Sequence, residues 1–352
     1  MAQRPRTSEL DAAQFRRLLV RWYRVHARVL PWRGVNDPYK VWISEIMLQQ
    51  TRVQAVIEHY RRFLKQFPTI QKLAAADEQT VLAAWSGLGY YRRARMMHGA
   101  ARLVSAEHGG SLPQTAAALR SLPGIGEYTS AAIASIAYGE RVAVVDGNVE
   151  RVLLRVTGRP EDRSAAGKKF IAAQAAALLP AAKPDLRVPQ PFSEHNQAMM
   201  ELGATVCLPR GPLCGECPVQ ALCLTRGEHR TLKRARGLRR EAAYLLAMRK
   251  RNGATQVLLV QRAADASLMA GMWELPPLSA EVVAPYVPVL AVKHSITNTN
   301  YDVSVYTDRE LEREVAPGET VEVRWVAADA LGRTALTGLT RKILRKMEVM
   351  QA

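Results

Sequence analysis

The sequence predicts a multi-domain protein in which an all-α part is followed by an α+β part. Its 352 residues are enough for two domains, or three small ones, each with its own core. From about residue 8 to residue 225 the pattern is helical, whereas beyond residue 240 short runs rich in β-branched and aromatic residues alternate with turn residues. We therefore divide the chain into residues 1–225, a basic linker at 226–240 and residues 241–352.

The net charge predicts a polyanionic partner. Forty-nine Lys and Arg against 32 Asp and Glu leave +17, and such a surplus favours a phosphate backbone through counterion release. An anionic membrane surface is the alternative. No apolar run approaches the roughly 18 residues that a membrane span needs, and the N-terminus has no apolar signal core. We therefore expect an intracellular, cytoplasmic protein without a membrane partner.

Helix boundaries in the first part follow local signals. Asp37 and Pro38 match an N-cap followed by proline at the first helical position. Thr51 and Gln54 match a capping box, which predicts a second helix that begins there and stops before Pro68. The corner between these two helices then consists of Gln49, Gln50 and Thr51.

The last part of the chain predicts strands and a closing helix. Seven Lys or Arg in the linker at 226–240 indicate a solvated segment with little apolar content. Beyond it, a closing helix is predicted over residues 336–347, and the short apolar runs predict strands at 243–250, 255–262, 287–294, 300–307 and 320–327.

All four cysteines lie within one short stretch with the spacing C-x6-C-x2-C-x5-C: Cys207, Cys214, Cys217 and Cys223. A disulfide framework would spread its cysteines through the chain. Four thiolates in a tight loop can hold one zinc ion tetrahedrally or bind the irons of a [4Fe-4S] cluster. The residues themselves leave both metals open.

A glycine-rich turn at residues 122–126 (LPGIG) is a candidate phosphate-binding site. Gly124 and Gly126 flank one apolar residue, and the backbone amides that lead into the next helix can bind a phosphate without sequence preference. An ordinary turn between two helices is the alternative interpretation.

Two carboxylates are candidates for acid and base chemistry. Glu45 lies in the middle of a helix among apolar neighbours, so its pKa should be raised, as suits a general acid; a solvated glutamate is the alternative. Asp146 directly precedes a helix and is either a plain N-cap or catalytic. Cleavage of a purine glycosidic bond needs a proton on the leaving base and an anion near the cationic sugar.

The motifs together resemble the adenine DNA glycosylase (MutY) family of helix-hairpin-helix glycosylases. They occur in that family's order over essentially the whole chain: LPWR at 30–33, WISEIMLQQTRV at 42–53, GLGYY at 87–91, LPGIGEYT at 122–129, VDGN at 145–148, and the four-cysteine loop. The resemblance implies a helix-hairpin-helix domain at about residues 118–138, base flipping, and one [4Fe-4S] cluster held in an iron–sulfur loop at 207–223.

The resemblance also implies roles for individual residues. Glu45 would protonate the adenine, and Asp146 would stabilise the sugar cation or attack it transiently. Tyr128 occupies the hairpin position at which endonuclease III enzymes carry a Lys that forms a Schiff base, which a phenol cannot do. The adenine pocket would comprise Trp32, Arg33 and Gln197. A core position is the alternative interpretation for the aromatic residues Trp32 and Tyr90. The wedge into the duplex would comprise Leu48, Gln50, Thr51, Gly87, Leu88, Gly89 and Tyr90.

The C-terminal domain resembles the Nudix-like domain of the same family. It lacks the glutamate cluster with which a Nudix hydrolase holds Mg²⁺, so the resemblance implies a module that recognises 8-oxoguanine opposite the adenine. One departure concerns the loop that often reads Phe-Ser-His in the family and here reads Ile296-Thr297-Asn298. Thr297 can supply the hydroxyl of the Ser, whereas Ile cannot stack and Asn cannot become protonated.

The expected function is therefore monofunctional excision of adenine opposite 8-oxoguanine or guanine, on double-stranded DNA and as a monomer. Three alternatives remain: an endonuclease III-like glycosylase with lyase activity, a non-catalytic lesion-binding protein and a nucleotide hydrolase. Tyr128 argues against the first, the pair Glu45 and Asp146 against the second, and the missing glutamate cluster against the third.

Overall fold

The computed structural model describes residues 10–181, 190–232, 237–315 and 322–350. The predicted all-α part is confirmed, because the described residues before Leu238 contain helices and turns but no strand. Within the described ranges, no helix is long and apolar enough to cross a membrane. The helices are α1 (Ala12–His26), α2 (Pro38–Leu48), α3 (Val53–Gln66), α4 (Ile70–Ala74), α5 (Glu78–Trp85), α6 (Arg92–Glu107), α7 (Ala116–Leu119), α8 (Glu127–Ala137), α9 (Gly147–Val156), α10 (Ala165–Leu178) and α11 (Pro191–Thr205).

The start of α2 follows the predicted signal. The Asp37 side chain accepts hydrogen bonds from the amides of Tyr39 and Lys40, and Pro38 is the first helical residue. An N-cap of this kind satisfies amides that have no partner inside the helix.

The capping box predicted at Thr51 is wrong. Helix α3 begins at Val53, two residues later, and no side chain caps it. The Thr51 hydroxyl instead lies 3.5 Å from the Leu88 carbonyl oxygen and accepts a hydrogen bond from Arg93 Nη2 at 3.2 Å. Gln50 adopts φ 56°, a left-handed conformation that ends the previous helix. The corner between the two helices is confirmed.

The α+β character of the last part is also confirmed. Its elements are β1 (Leu238–Leu245), β2 (Met248–Arg251), β3 (Ala254–Gln261), β4 (Trp273–Glu274), β5 (Pro277–Leu278), α12 (Ala280–Val283), β6 (Leu290–Ile296), β7 (Thr299–Tyr306), β8 (Val323–Ala327) and α13 (Gly338–Lys346). The strands form one sheet in the order β5-β1-β7-β6 and a second in the order β2-β3-β4, with β8 also paired to β3. Strands β1 and β7 run parallel, and the other pairs are antiparallel.

The strand boundaries differ from the prediction by up to three residues at β3, β6 and β7, and more around β1 and β2. The run at 243–250 is not one strand, because β1 ends at Leu245 and β2 begins at Met248 in the other sheet. Strand β1 starts at Leu238, inside the predicted linker 226–240, because its first residues pair with the start of β7. Residues 233–236 of that linker, and residues 320–321 of the last predicted strand, lie outside the described residues.

Contacts group the chain into two compact units, residues 1–49 with 103–233 and residues 50–102 with 234–352. In the first unit, α2 packs against α8, and α11 packs against α1, α8 and α9. Its core includes Phe15, Leu19, Val152, Leu153 and Leu202. In the second unit, a core that includes Leu259, Val303, Val305 and Ile343 fills the space around β3, β7 and α13. These units do not coincide with the predicted domains, because residues 50–102 group with the C-terminal residues. The domain limits 1–225 and 241–352 stay a prediction.

Candidate active site

Glu45 is a buried acid in the middle of α2. Its side chain is 5% exposed because its neighbours along the helix, among them Trp42 and Ile46, pack into the interior. Burial raises the pKa of Glu45 to about 7, and the negative charge of Asp146 acts in the same direction. The Tyr128 hydrogen bond and the charge of Arg33 oppose this rise without cancelling it. The predicted desolvated acid is therefore present, and it holds a proton for part of the time near neutral pH.

Tyr128 is joined directly to this acid. It lies in the first turn of α8, which packs against α2, and its hydroxyl donates a hydrogen bond to Glu45 Oε2. The Sδ atom of Met200 lies 3.6 Å from the same hydroxyl. Burial, together with the charges of Glu45 and Asp146, raises the pKa of Tyr128 well above its usual value. The phenol therefore stays protonated and acts as a donor to Glu45.

Asp146 caps helix α9 and carries a charge toward Glu45. Its Oδ1 atom accepts from the amides of Asn148 and Val149 at 2.9 and 2.7 Å. Its Oδ2 atom accepts from the Asn148 side chain at 2.7 Å. The N-cap and the catalytic interpretation are thus compatible: the cap holds the carboxylate in one orientation, and the positive end of the helix favours an anion there.

A buried ion-pair network lies beside the predicted adenine pocket, and sequence reasoning missed most of it. Glu201 is 0% exposed and receives hydrogen bonds from the Arg28 side chain at 2.7 and 2.9 Å and from Arg33 Nη2. Burial opposes ionisation of Glu201, but Arg28 and Arg33 outweigh it and keep its pKa below the usual value. Arg33 Nη1 donates to Tyr23 and, at 3.5 Å, to Gln197 Oε1.

This network joins two of the three predicted pocket residues, Arg33 and Gln197, by a hydrogen bond. Gln197 and Glu201 lie one turn apart on α11, a four-residue spacing that could have identified Glu201 as a partner of Arg33. Gln197 is also fixed by a bond from its Nε2 to Ser193 Oγ at 3.0 Å. Trp32 is 8% exposed and therefore mostly buried.

The glycine-rich turn has the backbone expected of a helix-hairpin-helix. Gly124 adopts φ 76°, a conformation that only glycine adopts readily, and Gly126 is the N-cap of α8. Because Gly126 has no side chain, the first amides of this 11-residue helix have no side-chain cap.

The predicted wedge residues differ in exposure. Gln50, Gly87 and Tyr90 are exposed, whereas the Leu88 side chain is only 5% exposed. Gly87, Gly89 and Tyr90 all have positive φ, at 107°, 70° and 49°. Arg93 Nη2 donates to the carbonyls of Leu88 and Gly89 at 3.3 and 3.2 Å. Tyr90 is thus the exposed aromatic residue of this loop. The other two predicted wedge residues, Leu48 and Thr51, are half-buried.

Thr297 lies at the tip of the hairpin between β6 and β7. Ile296 pairs with Thr299, so Thr297 and Asn298 form a two-residue turn in which Thr297 has φ 50°. Its exposed hydroxyl donates to the Ile296 carbonyl at 2.7 Å and keeps its lone pairs as acceptors.

The four cysteines line one cavity that also contains apolar residues of α9 and α11. Arg155 Nη1 donates to Cys207 Sγ at 3.3 Å, and the Arg226 amide donates to Cys223 Sγ at 3.4 Å. Arg151, on the same helix, donates to the Cys207 carbonyl at 2.8 Å. Among the described residues, no three His, Cys, Asp or Glu side chains are arranged to hold a metal ion as they stand.

Comparison with known proteins places the chain in a family. Residues 43–175 match the HhH-GPD superfamily of base excision DNA repair proteins. The chain is 33% identical to the adenine DNA glycosylase of Mus musculus over an alignment of 416 positions, gaps included, that covers 96% of this chain and 78% of the mouse protein. The chain belongs to the adenine DNA glycosylase family. The resemblance stated from the motifs is confirmed.

Other members of the adenine DNA glycosylase family match over a shorter region. The protein of Rattus norvegicus is 46% identical over 226 residues, 60% of this chain, and the chain thereby spans only 42% of the rat protein. A solved structure of a thermostable thymine-DNA glycosylase is similar with a TM-score of 0.55 and 28% identity, covering 61% of this chain and 96% of that one.

Proposed function

We propose that this protein is a monofunctional DNA glycosylase of base excision repair that removes adenine paired with 8-oxoguanine or guanine. One observation carries the proposal: burial and the nearby charge of Asp146, the N-cap of α9, raise the pKa of Glu45 to about 7. Glu45 can therefore hold a proton while Asp146 supplies a negative charge. This division between two carboxyl groups is what glycosidic cleavage requires.

In the proposed reaction, Glu45 donates its proton to a ring nitrogen of the flipped adenine. The glycosidic bond then breaks, its electron pair leaves with the base, and the sugar carbon becomes cationic. The Asp146 carboxylate, held by two backbone amides and the Asn148 side chain, stabilises that cation. Water adds to the sugar carbon, and its proton returns to the Glu45 carboxylate.

The adenine pocket in this proposal consists of Trp32, Arg33 and Gln197. The charge of Arg33 is compensated by Glu201, so Arg33 is held in place before any DNA binds. Gln197 keeps a second N–H and a second lone pair beyond its bonds to Ser193 and Arg33, so it can pair with an edge of the base. Adenine must leave the duplex to reach a side chain as buried as Glu45.

Duplex binding is proposed to use the hairpin, the wedge loop and the β6–β7 hairpin. Gly124 and Gly126 leave the amides at the start of α8 available to a phosphate. The residues proposed to enter the duplex or contact the base opposite adenine are Leu48, Gln50, Thr51, Gly87, Leu88, Gly89, Tyr90 and Thr297. Recognition of 8-oxoguanine is assigned to Thr297 and the wedge loop. The protein is proposed to act as a monomer.

Excision assays on duplexes with adenine opposite 8-oxoguanine, guanine, cytosine or thymine test this function. We expect excision opposite 8-oxoguanine and guanine, with an intact strand until alkali is added, because Tyr128 has no amine to form a Schiff base. Strand cleavage without alkali and trapping by borohydride would favour the lyase. Binding without excision would favour a lesion-binding protein.

We further propose that Cys207, Cys214, Cys217 and Cys223 hold one [4Fe-4S] cluster. Four thiols around one cavity, two of them receiving N–H donors, match the ligands and the hydrogen bonds that such clusters use. The cluster would supply structural rigidity and charge to its loop.

Metal analysis tests the cluster independently of excision. Protein purified without oxygen should be brown and contain about four iron and four sulfide per chain. Cys217→Ser should lose most of the iron, whereas Ser193→Ala, outside the loop, should keep it. Stoichiometric zinc without iron would contradict the proposal.

A further inference from the structure

The exposed loop Gly87–Tyr90 is fixed at both ends by residues from the C-terminal part of the chain. The Ser86 hydroxyl and the Tyr91 hydroxyl both donate to the Leu336 carbonyl, at 3.1 and 3.0 Å. Arg341 Nε, from α13, donates to Ser86 Oγ at 2.9 Å. These four residues belong to one compact unit and are all buried.

One residue of the loop between these ends has a backbone conformation that its side chain disfavours. Three of the four loop residues have positive φ; Gly87 and Gly89 adopt it freely, whereas Tyr90 carries a steric penalty there. The carbonyl oxygen of Gly89, inside the loop, accepts hydrogen bonds from Arg93 Nη2 and from the indole Nε1 of Trp85, which flank the loop. A strained loop keeps its shape only where its surroundings determine it, and here the surroundings include Leu336 and Arg341.

Arg341 is an unusual residue for a purely structural contact. Its side chain is buried, and its Nη2 atom finds no hydrogen-bond partner among the described residues. A buried cation with an unsatisfied donor stabilises a fold less well than an apolar residue of similar size. Its Nε atom, in contrast, makes a hydrogen bond of 2.9 Å to Ser86, the residue directly before the loop.

We propose that Arg341 is a positioning residue that sets the Gly87–Tyr90 loop through Ser86. The C-terminal part then contributes to discrimination of the base opposite adenine in two ways, through its own Thr297 hairpin and through the loop that presents Tyr90. This inference rests on the proposed function. Arg341 itself is buried, so we assign it a role through the loop rather than through direct contact with DNA.

Single-turnover excision by Arg341→Met and Ser86→Ala tests the proposal from both ends of one hydrogen bond. Each variant should lower the ratio of the rates opposite 8-oxoguanine and guanine by about threefold to tenfold, the usual effect of one buried hydrogen bond. The double variant should lose no more than the more affected single variant, because both changes remove the same contact. Arg345→Met, an exposed arginine on the same helix, should leave the ratio unchanged.

Hydrogen exchange of the free protein provides a second measurement that needs no activity. The Leu88 amide, which donates to the Trp85 carbonyl at 3.2 Å, should exchange faster in both single variants, while amides of α8 should not change. An unchanged ratio, an equal fall in both rates, or unchanged exchange of the loop would overturn the proposal. If the wild type excises no adenine, the proposed function fails, and the exchange experiment still decides whether Arg341 positions the loop. If Arg341→Met does not fold, Ser86→Ala is compared with Tyr91→Phe: each loses one hydrogen bond to the Leu336 carbonyl, and only Ser86→Ala also loses the partner of Arg341 Nε, so only Ser86→Ala should show the larger effect in both measurements.

Discussion

Glu45→Gln is expected to lower the single-turnover rate of adenine excision by about two to four orders of magnitude, the usual contribution of a general acid. Glutamine has the same shape but no proton to give to the leaving base. It can still accept the hydrogen bond from Tyr128, so the fold around α2 and α8 should survive. Duplex binding by the variant should therefore be close to that of the wild type.

The control for this variant is Glu107→Gln, which changes an exposed carboxylate at the end of α6. Its excision rate should equal that of the wild type. Near-normal excision by Glu45→Gln under single-turnover conditions would remove Glu45 from the mechanism.

The raised pKa of Glu45 gives the reaction a defined pH dependence. The acid is protonated below about pH 7 and ionised above it, so the excision rate should fall as pH rises through that value. Tyr128→Phe removes a hydrogen bond that lowers the pKa of Glu45. The pH at which the excision rate of this variant falls should therefore be higher than in the wild type. A fall that moves to lower pH, or a wild-type rate that is flat between pH 6 and 9, would contradict this assignment of the proton.

Asp146→Asn is expected to lower the excision rate by about two to three orders of magnitude, by analogy with the loss of one electrostatic stabiliser of a transition state. The amide presents no net charge to the developing cation. Asparagine is as good an N-cap as aspartate, and its oxygen can keep both backbone bonds at the start of α9. Thermal stability should therefore fall much less than activity.

Asp11→Asn is a control, because Asp11 also caps a helix, α1, by accepting from the Gln14 amide, and has no place in the proposed reaction. Near-normal excision by Asp146→Asn, or a comparable loss of activity in both variants, would contradict a specific role for the charge of Asp146. A loss confined to Asp146→Asn would support the electrostatic role.

Several features of the site could be predicted from local sequence alone. The Asp37 cap and the helix after Asp146 depend on hydrogen bonds between residues within a few positions of each other. The Thr51 capping box failed because the hydroxyl contacts Leu88 and Arg93, which lie far along the chain and outweigh the local signal.

By itself, then, the sequence determined the helical and α+β parts, the cysteine loop, the glycine turn and the two carboxylates, because each depends on short-range spacing and residue chemistry. Only the tertiary structure decided what those residues do to one another. Tyr128 reaches Glu45 across 83 positions, and Arg33 reaches Glu201 across 168. Arg341 likewise donates a hydrogen bond to Ser86, which lies 255 positions away in the sequence. The pKa of a buried acid depends on such distant neighbours and on the exclusion of water, and neither exists until the helices pack.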